Sequence, residues 1–215
     1  MTRLLQKITW WLFAGLSIAI GLYPFIYFVI DPHFGLLATK KQALLSKQLW
    51  NIGFYSHIVL GGIALLIGWS QFSQKLRKNR MDLHRTIGKV YVVSVLVSGI
   101  CGIYIGWFAT GGMISKVGFI SLGIIWITST LLAYRAIKNK QIVAHENYMI
   151  ISYAACFAAV TLRIWLPILI AITGDFIPAY RIVAWLSWVP NLVVAYFLIN
   201  RKQGSGVRDQ NILQT

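Results

Sequence analysis

Residues 54–92 read FYSHIVLGGIALLIGWSQFSQKLRKNRMDLHRTIGKVYV. The stretch sets an apolar run opening near His57, a basic turn from Lys75 to Arg85, and His84 at the head of a second apolar run. Helical steps from His57 bring Gly61, Ala64, Gly68 and Gln71 to one face. The same steps from His84 give Gly88, Val95, Gly99, Gly102 and Gly106. Each run therefore presents a stripe of small residues with an imidazole at one end. Such stripes let helix backbones approach closely in lipid. They also leave room for a flat ligand between helices.

Composition fixes the solvent. Of 215 residues, 58% are hydrophobic and 12% charged, with a mean hydropathy of +0.69. Ordinary soluble domains carry about 25% charged residues, and one small globule cannot hide this much apolar surface. The net charge of +15 does not mark a nucleic-acid partner, because the basic residues sit at the ends of apolar runs rather than along a groove. They set orientation and meet anionic membrane lipids. Cys101 and Cys156 fall inside apolar runs and read as free thiols, not as a disulfide framework.

The pattern predicts an all-α integral membrane protein with six transmembrane helices, at 8–30, 52–72, 87–108, 113–134, 147–171 and 181–199. Spans two to five are expected to form a four-helix core within one domain, 1–200, followed by a polar, mobile tail, 201–215. The first apolar run is too long for a signal peptide and reads as a retained helix. Asp31 and Pro32 end it, His33 is expected to be exposed, and 31–51 reads as a short amphipathic helix on the outer surface. Six spans put both chain ends on one side. Fourteen Lys and Arg fall on that side against five on the other. The positive-inside rule then puts both termini in the cytoplasm, with His84 and His145 at cytoplasmic helix ends and His57 at an outer end.

Polar groups inside a span need a physical reason. Arg163 lies 18 residues after His145, five helical turns, and shares its face with Met149, Ser152 and Cys156. It is expected near the outer surface, where it and His57 would form a polar pocket; the alternative is a guanidinium that snorkels or caps carbonyls. His84 and His145 open parallel helices at matched depth. Across a four-helix core they are placed to ligate one haem b iron, with Gly88 and Met149 beside the ring; the alternative is two interfacial imidazoles touching lipid phosphates. All five acids, Asp31, Asp82, Glu146, Asp175 and Asp209, sit at span ends or in loops, which argues against a proton or cation pump. No HExxH, CxxC, GxSxG or Walker motif occurs. Pro190 is expected to kink the sixth span, and Asn191 to bond a neighbouring helix or the carbonyl freed there.

The ordered motifs FYSHIVLGGIALLIGWSQF, LHRTIGKVYV, AHENYMIISYAACFAAVTLRIW and AWLSWVPNL resemble a bacterial integral membrane protein family, domain of unknown function 2306, over residues 50–195. The resemblance implies a bacterial cytoplasmic membrane location. It directs attention to His57, Gln71, His84, Arg85, Gly88, Tyr91, His145, Met149, Arg163, Trp188 and Asn191, and it carries no activity. A looser architectural likeness is to cytochrome b561 and related four-helix haem proteins. His84 and His145 match one of that group's histidine pairs in helix order. His57 has no histidine partner in the fourth span, KVGFISLGIIWITSTLLAY, so at most one bis-histidine haem is implied. Two functions stand side by side at this point. One is a b-type haem or quinone-linked electron-transfer protein. The other is a non-redox carrier of a small molecule, or a respiratory-complex assembly factor.

Overall fold

The computed structural model describes residues 3–29 and 35–212. Asp31, Pro32 and His33 lie outside the described residues. The helices are α1 (Arg3–Gly21), α2 (Ile26–Val29), α3 (Gln42–Leu45), α4 (Gln48–Gly68), α5 (Gln74–Asn79), α6 (Met81–Gly106), α7 (Met113–Lys138), α8 (Ile142–Cys156), α9 (Ala158–Thr173), α10 (Phe176–Leu186) and α11 (Val189–Ile212). Six stretches are long and apolar enough to cross a membrane: Lys7–Val29, Gln48–Phe72, Met81–Gly106, Met113–Lys138, Ile142–Thr173 and Phe176–Lys202. These are the six expected spans; the first is displaced by one residue, and the other five reach beyond the predicted bounds at one end or both.

Spans two to five close into a ring. α4 packs on α6, α6 on α7, α7 on α8, and α8 back on α4. The first span lies against α4 and α9, and the sixth against α7, α8 and α9. Outward faces are apolar, as lipid demands: Val90, Val93, Val97 and Ile100 recur at helical spacing on the exposed side of α6. Inward faces are smaller and more polar. Ser17, Ser98, Thr130 and Ser152 are fully buried, and each hydroxyl has a hydrogen-bond partner, because hydrocarbon offers none.

Three expectations change. The fifth span is two helices, broken at Phe157, where the Val160 amide turns to the Phe157 carbonyl in a tighter bond. The loop before α4 holds only a very short surface helix, and its apolar side faces the protein. It forms a 3₁₀ turn, Gly35–Thr39, and the four-residue α3. Leu37 is buried, and Leu44 and Leu45 pack on a cluster of Tyr27, Trp50 and Phe54, so the leucines find protein rather than lipid. The residues from 201 to Ile212, expected as a polar tail, continue α11 as helix. Once a helix exists, each added residue makes a bond for the freedom it loses, and Gly204 and Gly206 do not stop it.

The sixth span breaks where the sequence marks it. α10 ends at Leu186 and α11 starts at Val189, one residue before Pro190. The Asn191 amide nitrogen donates to the Ser187 carbonyl at 3.0 Å, to Ala154 O on α8 at 3.3 Å and to Thr161 Oγ1 on α9 at 3.1 Å. The Thr161 hydroxyl itself donates to Ser187 O. The breaks at Phe157 and Ser187 are thereby clasped together.

Candidate functional site

Two polar regions lie at opposite ends of the bundle. The larger is on the side away from the chain ends, where a cavity of 520 Å³ reaches in from the loops toward Trp126. Its lining is mostly apolar, with Trp50, Phe54, Leu162, Leu166 and Ile170 among its walls, and among the described residues it includes no Asp or Glu. His57, Arg163, Lys40, Tyr23 and Tyr27 all face it. A volume of this size, mainly apolar with a few convergent polar groups, is the usual form of a small-molecule site.

His57 is seated by glycine. A Cβ on Gly102 would lie 2.8 Å from His57 Nδ1, so only glycine admits the ring. Nδ1 donates to the Ser98 carbonyl at 2.9 Å, and Ser98 Oγ donates to the His57 carbonyl at 2.9 Å. A carbonyl can only accept, so the proton is on Nδ1 and the lone pair on Nε2.

Arg163 stands on α9 four residues before Pro167, which lacks the amide that would bond the Arg163 carbonyl. Its Nη1 donates to Ala159 O at 2.8 Å, as a carbonyl-capping arginine would. Its guanidinium carbon lies 4.1 Å from the Tyr23 ring centroid. Its Nε is buried without a partner, as is Trp50 Nε1. Among the described residues no carboxylate pairs with Arg163.

Lys40, on the loop over the cavity, donates to Phe108 O at 2.8 Å and Thr110 Oγ1 at 3.1 Å. Burial lowers its pKa from 10.5 to about 8. Sequence reading counted Lys40 only as a loop cation and did not single out Tyr23, Tyr27 or Trp50. Their place at the cavity follows from how residues 35–50 fold inward, which no local pattern announces.

The second region is at the chain-end side. The Arg77 guanidinium meets Glu146 at 2.6 Å, and Lys202 pairs with the other Glu146 oxygen, joining α5, α8 and α11. His145 Nδ1 donates to Ala133 O at 2.9 Å, leaving Nε2 as the acceptor. His84 is within electrostatic range of His145, Arg77 and Arg85. His84 Nδ1 and Gln71 Nε2 are buried without partners.

The two histidines are thus brought to one end of the core, within electrostatic range of each other. A Cβ on Gly88 would meet Gln71 Oε1 at 3.6 Å. Met149 is packed against the core cluster of Tyr91 and Tyr153. These are the positions expected to flank the ring, and neither borders the cavity. The cavity lies instead around His57 and Arg163. Cys101 and Cys156 are free thiols, and among the described residues no group of three metal-ligating side chains occurs.

A family model described as predicted membrane protein, DUF2306, matches residues 54–199, which takes in α4 from Phe54, all of α6 to α10 and the membrane part of α11. No curated protein and no solved structure matches the chain. With more than half its length matched, the chain belongs to the DUF2306 family of predicted membrane proteins of unknown function.

Proposed function

We propose that this protein binds a small amphipathic molecule in the cavity around His57 and Arg163, as a non-redox carrier or binding protein of the bacterial cytoplasmic membrane. Both chain ends face the cytoplasm in this reading, on the strength of the fourteen-to-five bias in Lys and Arg. The cavity then opens on the outer half of the bilayer. The observation that carries the reading is Arg163, whose buried Nε has no partner on a lining otherwise mostly apolar. A guanidinium inside a membrane marks a ligand path or site by default. The apolar body of the ligand rests on Phe54, Leu162 and Ile170, and an oxygen of its head accepts from Arg163. A quinone belongs to this class, as does any single-chain lipid with an oxygen-bearing head.

The test is extraction of the purified protein and mass spectrometry of what comes with it, alongside Ala159→Leu, which adds bulk at the cavity wall. A species enriched with the parent and depleted with the variant supports the reading. Equal lipid profiles, together with no quenching of tryptophan emission by a short-chain quinone or a single-chain lipid, refute it.

A further inference from the structure

Resting on the reading of that cavity as a ligand site, we infer that the head group it takes is a carboxylate, carried on a single apolar chain. The charge balance comes first. Among the described residues, Arg163 and Lys40 line the cavity and no acid does. An uncompensated cation within the membrane is costly, and a monoanionic ligand offsets it, whereas a neutral one leaves it in place.

The geometry narrows the anion. A guanidinium has three edges. Here Nη1 is committed to Ala159 O, one face lies over the Tyr23 ring, the Tyr23 hydroxyl is a further hydrogen-bond partner of the guanidinium, and Tyr27 is in electrostatic range. The side-on edge formed by Nε and Nη2 is the one whose Nε lacks a partner. Two parallel N–H bonds from one edge match the two oxygens of a carboxylate. A phosphate would bring a further charged oxygen, and the nearest ring nitrogen, His57 Nε2, offers a lone pair rather than a proton. Trp50 Nε1 and Trp126 Nε1, two more unpartnered groups on the lining, are again donors. Among the described residues, the buried unpartnered atoms of the lining are therefore all donors, and an occupant that supplies acceptors satisfies them.

The experiment uses the full chain in nanodiscs of zwitterionic lipid, with empty nanodiscs as the partition control. Decanoate, decanol and decyl phosphate have one chain length and three heads. Each is titrated at pH 7.5 and binding is read by tryptophan emission. Decanoate is expected to bind at least tenfold more tightly than decanol and more tightly than decyl phosphate. Arg163→Gln is expected to erase the advantage over decanol, and Arg163→Lys to restore only part of it, because an ammonium lacks the paired edge. The comparison among the three ligands on the parent protein decides the matter even if Arg163→Gln does not fold. Equal binding of decanoate and decanol, or a preference for the phosphate, overturns the carboxylate while leaving the cavity reading intact. Binding of none of the three overturns both.

Discussion

Gly68 sits where three helices meet, and replacing it by alanine tests the packing of the core directly. A Cβ at this position would lie 2.5 Å from Tyr153 Cε2, 2.7 Å from Tyr153 Cδ2 and 2.8 Å from Tyr91 Cε2. The rings must retreat to reach ordinary contact, and neither is free to do so. The Tyr153 hydroxyl is hydrogen-bonded to Ser17 Oγ and to Leu65 O, both at 2.9 Å. Its ring is edge-packed between Phe13 and Phe72, each with a centroid separation of 5.4 Å. Tyr91 is tied to Ser152 at 2.8 Å. Overpacking of this kind costs about 1–3 kcal/mol. Loss of one tyrosine hydrogen bond adds about 1 kcal/mol. The better helix propensity of alanine returns at most about 1 kcal/mol. The net loss is about 1–3 kcal/mol, a fall of roughly 3–10 °C in Tm for a chain of this size by the soluble-protein scale. Thermal unfolding in detergent, followed by tryptophan emission, measures it. Gly15→Ala is the matched control, since a Cβ there meets nothing within 4 Å and the change is expected to be neutral or slightly stabilising. If Gly68→Ala melts with the parent, or if the two variants shift alike, the account of the core is wrong.

The other predictions concern hydrogen bonding, backbone strain and titration. Ser152→Ala removes the partner of both the Tyr91 hydroxyl and Thr130 Oγ1, at 2.8 and 2.7 Å; it should cost about 1–3 kcal/mol, and adding Tyr91→Phe should recover part of the loss in the same melting assay. Lys140 holds φ at 60° in the turn between α7 and α8, a conformation that costs an L-residue about 1–2 kcal/mol, so Lys140→Gly should raise Tm by roughly 2–4 °C; an unchanged or lower Tm contradicts this. For Lys40, the pKa in the unfolded chain is 10.5 and in the fold about 8. The penalty for burying its ammonium is fully present below pH 8 and fades as pH rises toward 10.5, because in that window the unfolded chain binds more protons. The stability of the parent relative to Lys40→Met should therefore climb from pH 8 to pH 10; a flat difference means that Lys40 is solvated as an ordinary surface lysine.

The six spans were legible because crossing a membrane is a property of summed hydropathy over a fixed length, which tertiary detail hardly alters. Span ends were less legible. The third span reads from residue 87 with His84 opening its helix, and α6 begins earlier still, at Met81, since a basic turn outside the hydrocarbon can still be helical. Pro190 announced the break in the sixth span. Nothing local announced the break at Phe157, which goes with a clasp formed by Thr161, Ser187 and Asn191 across two spans. The pairing of His57 with Arg163 was legible for a different reason: a histidine and an arginine at the same end of apolar helices have few places to go. Their surroundings were not legible, because Tyr23, Lys40 and Trp50 arrive from a loop and from the first span.

The small-residue stripes carry the sharpest lesson about the candidate site. From sequence, Gly88, Gly99 and Gly102 on one helix read as either close packing or room for a flat ligand, and the two readings use the same residues. In the fold the three glycines serve three ends. Gly99 admits Ile127, whose Cγ1 would be 2.6 Å from an added Cβ, and so draws α7 onto α6. Gly102 admits the His57 ring. Gly88 faces Gln71 without crowding it, so it alone tolerates a larger side chain by this measure. Gly99 and Gly102 also border the cavity, where Arg163 stands without a countercharge among the described residues. The glycines therefore help locate the site by fixing the imidazole that borders it, and the chemistry of the cavity falls to the guanidinium opposite.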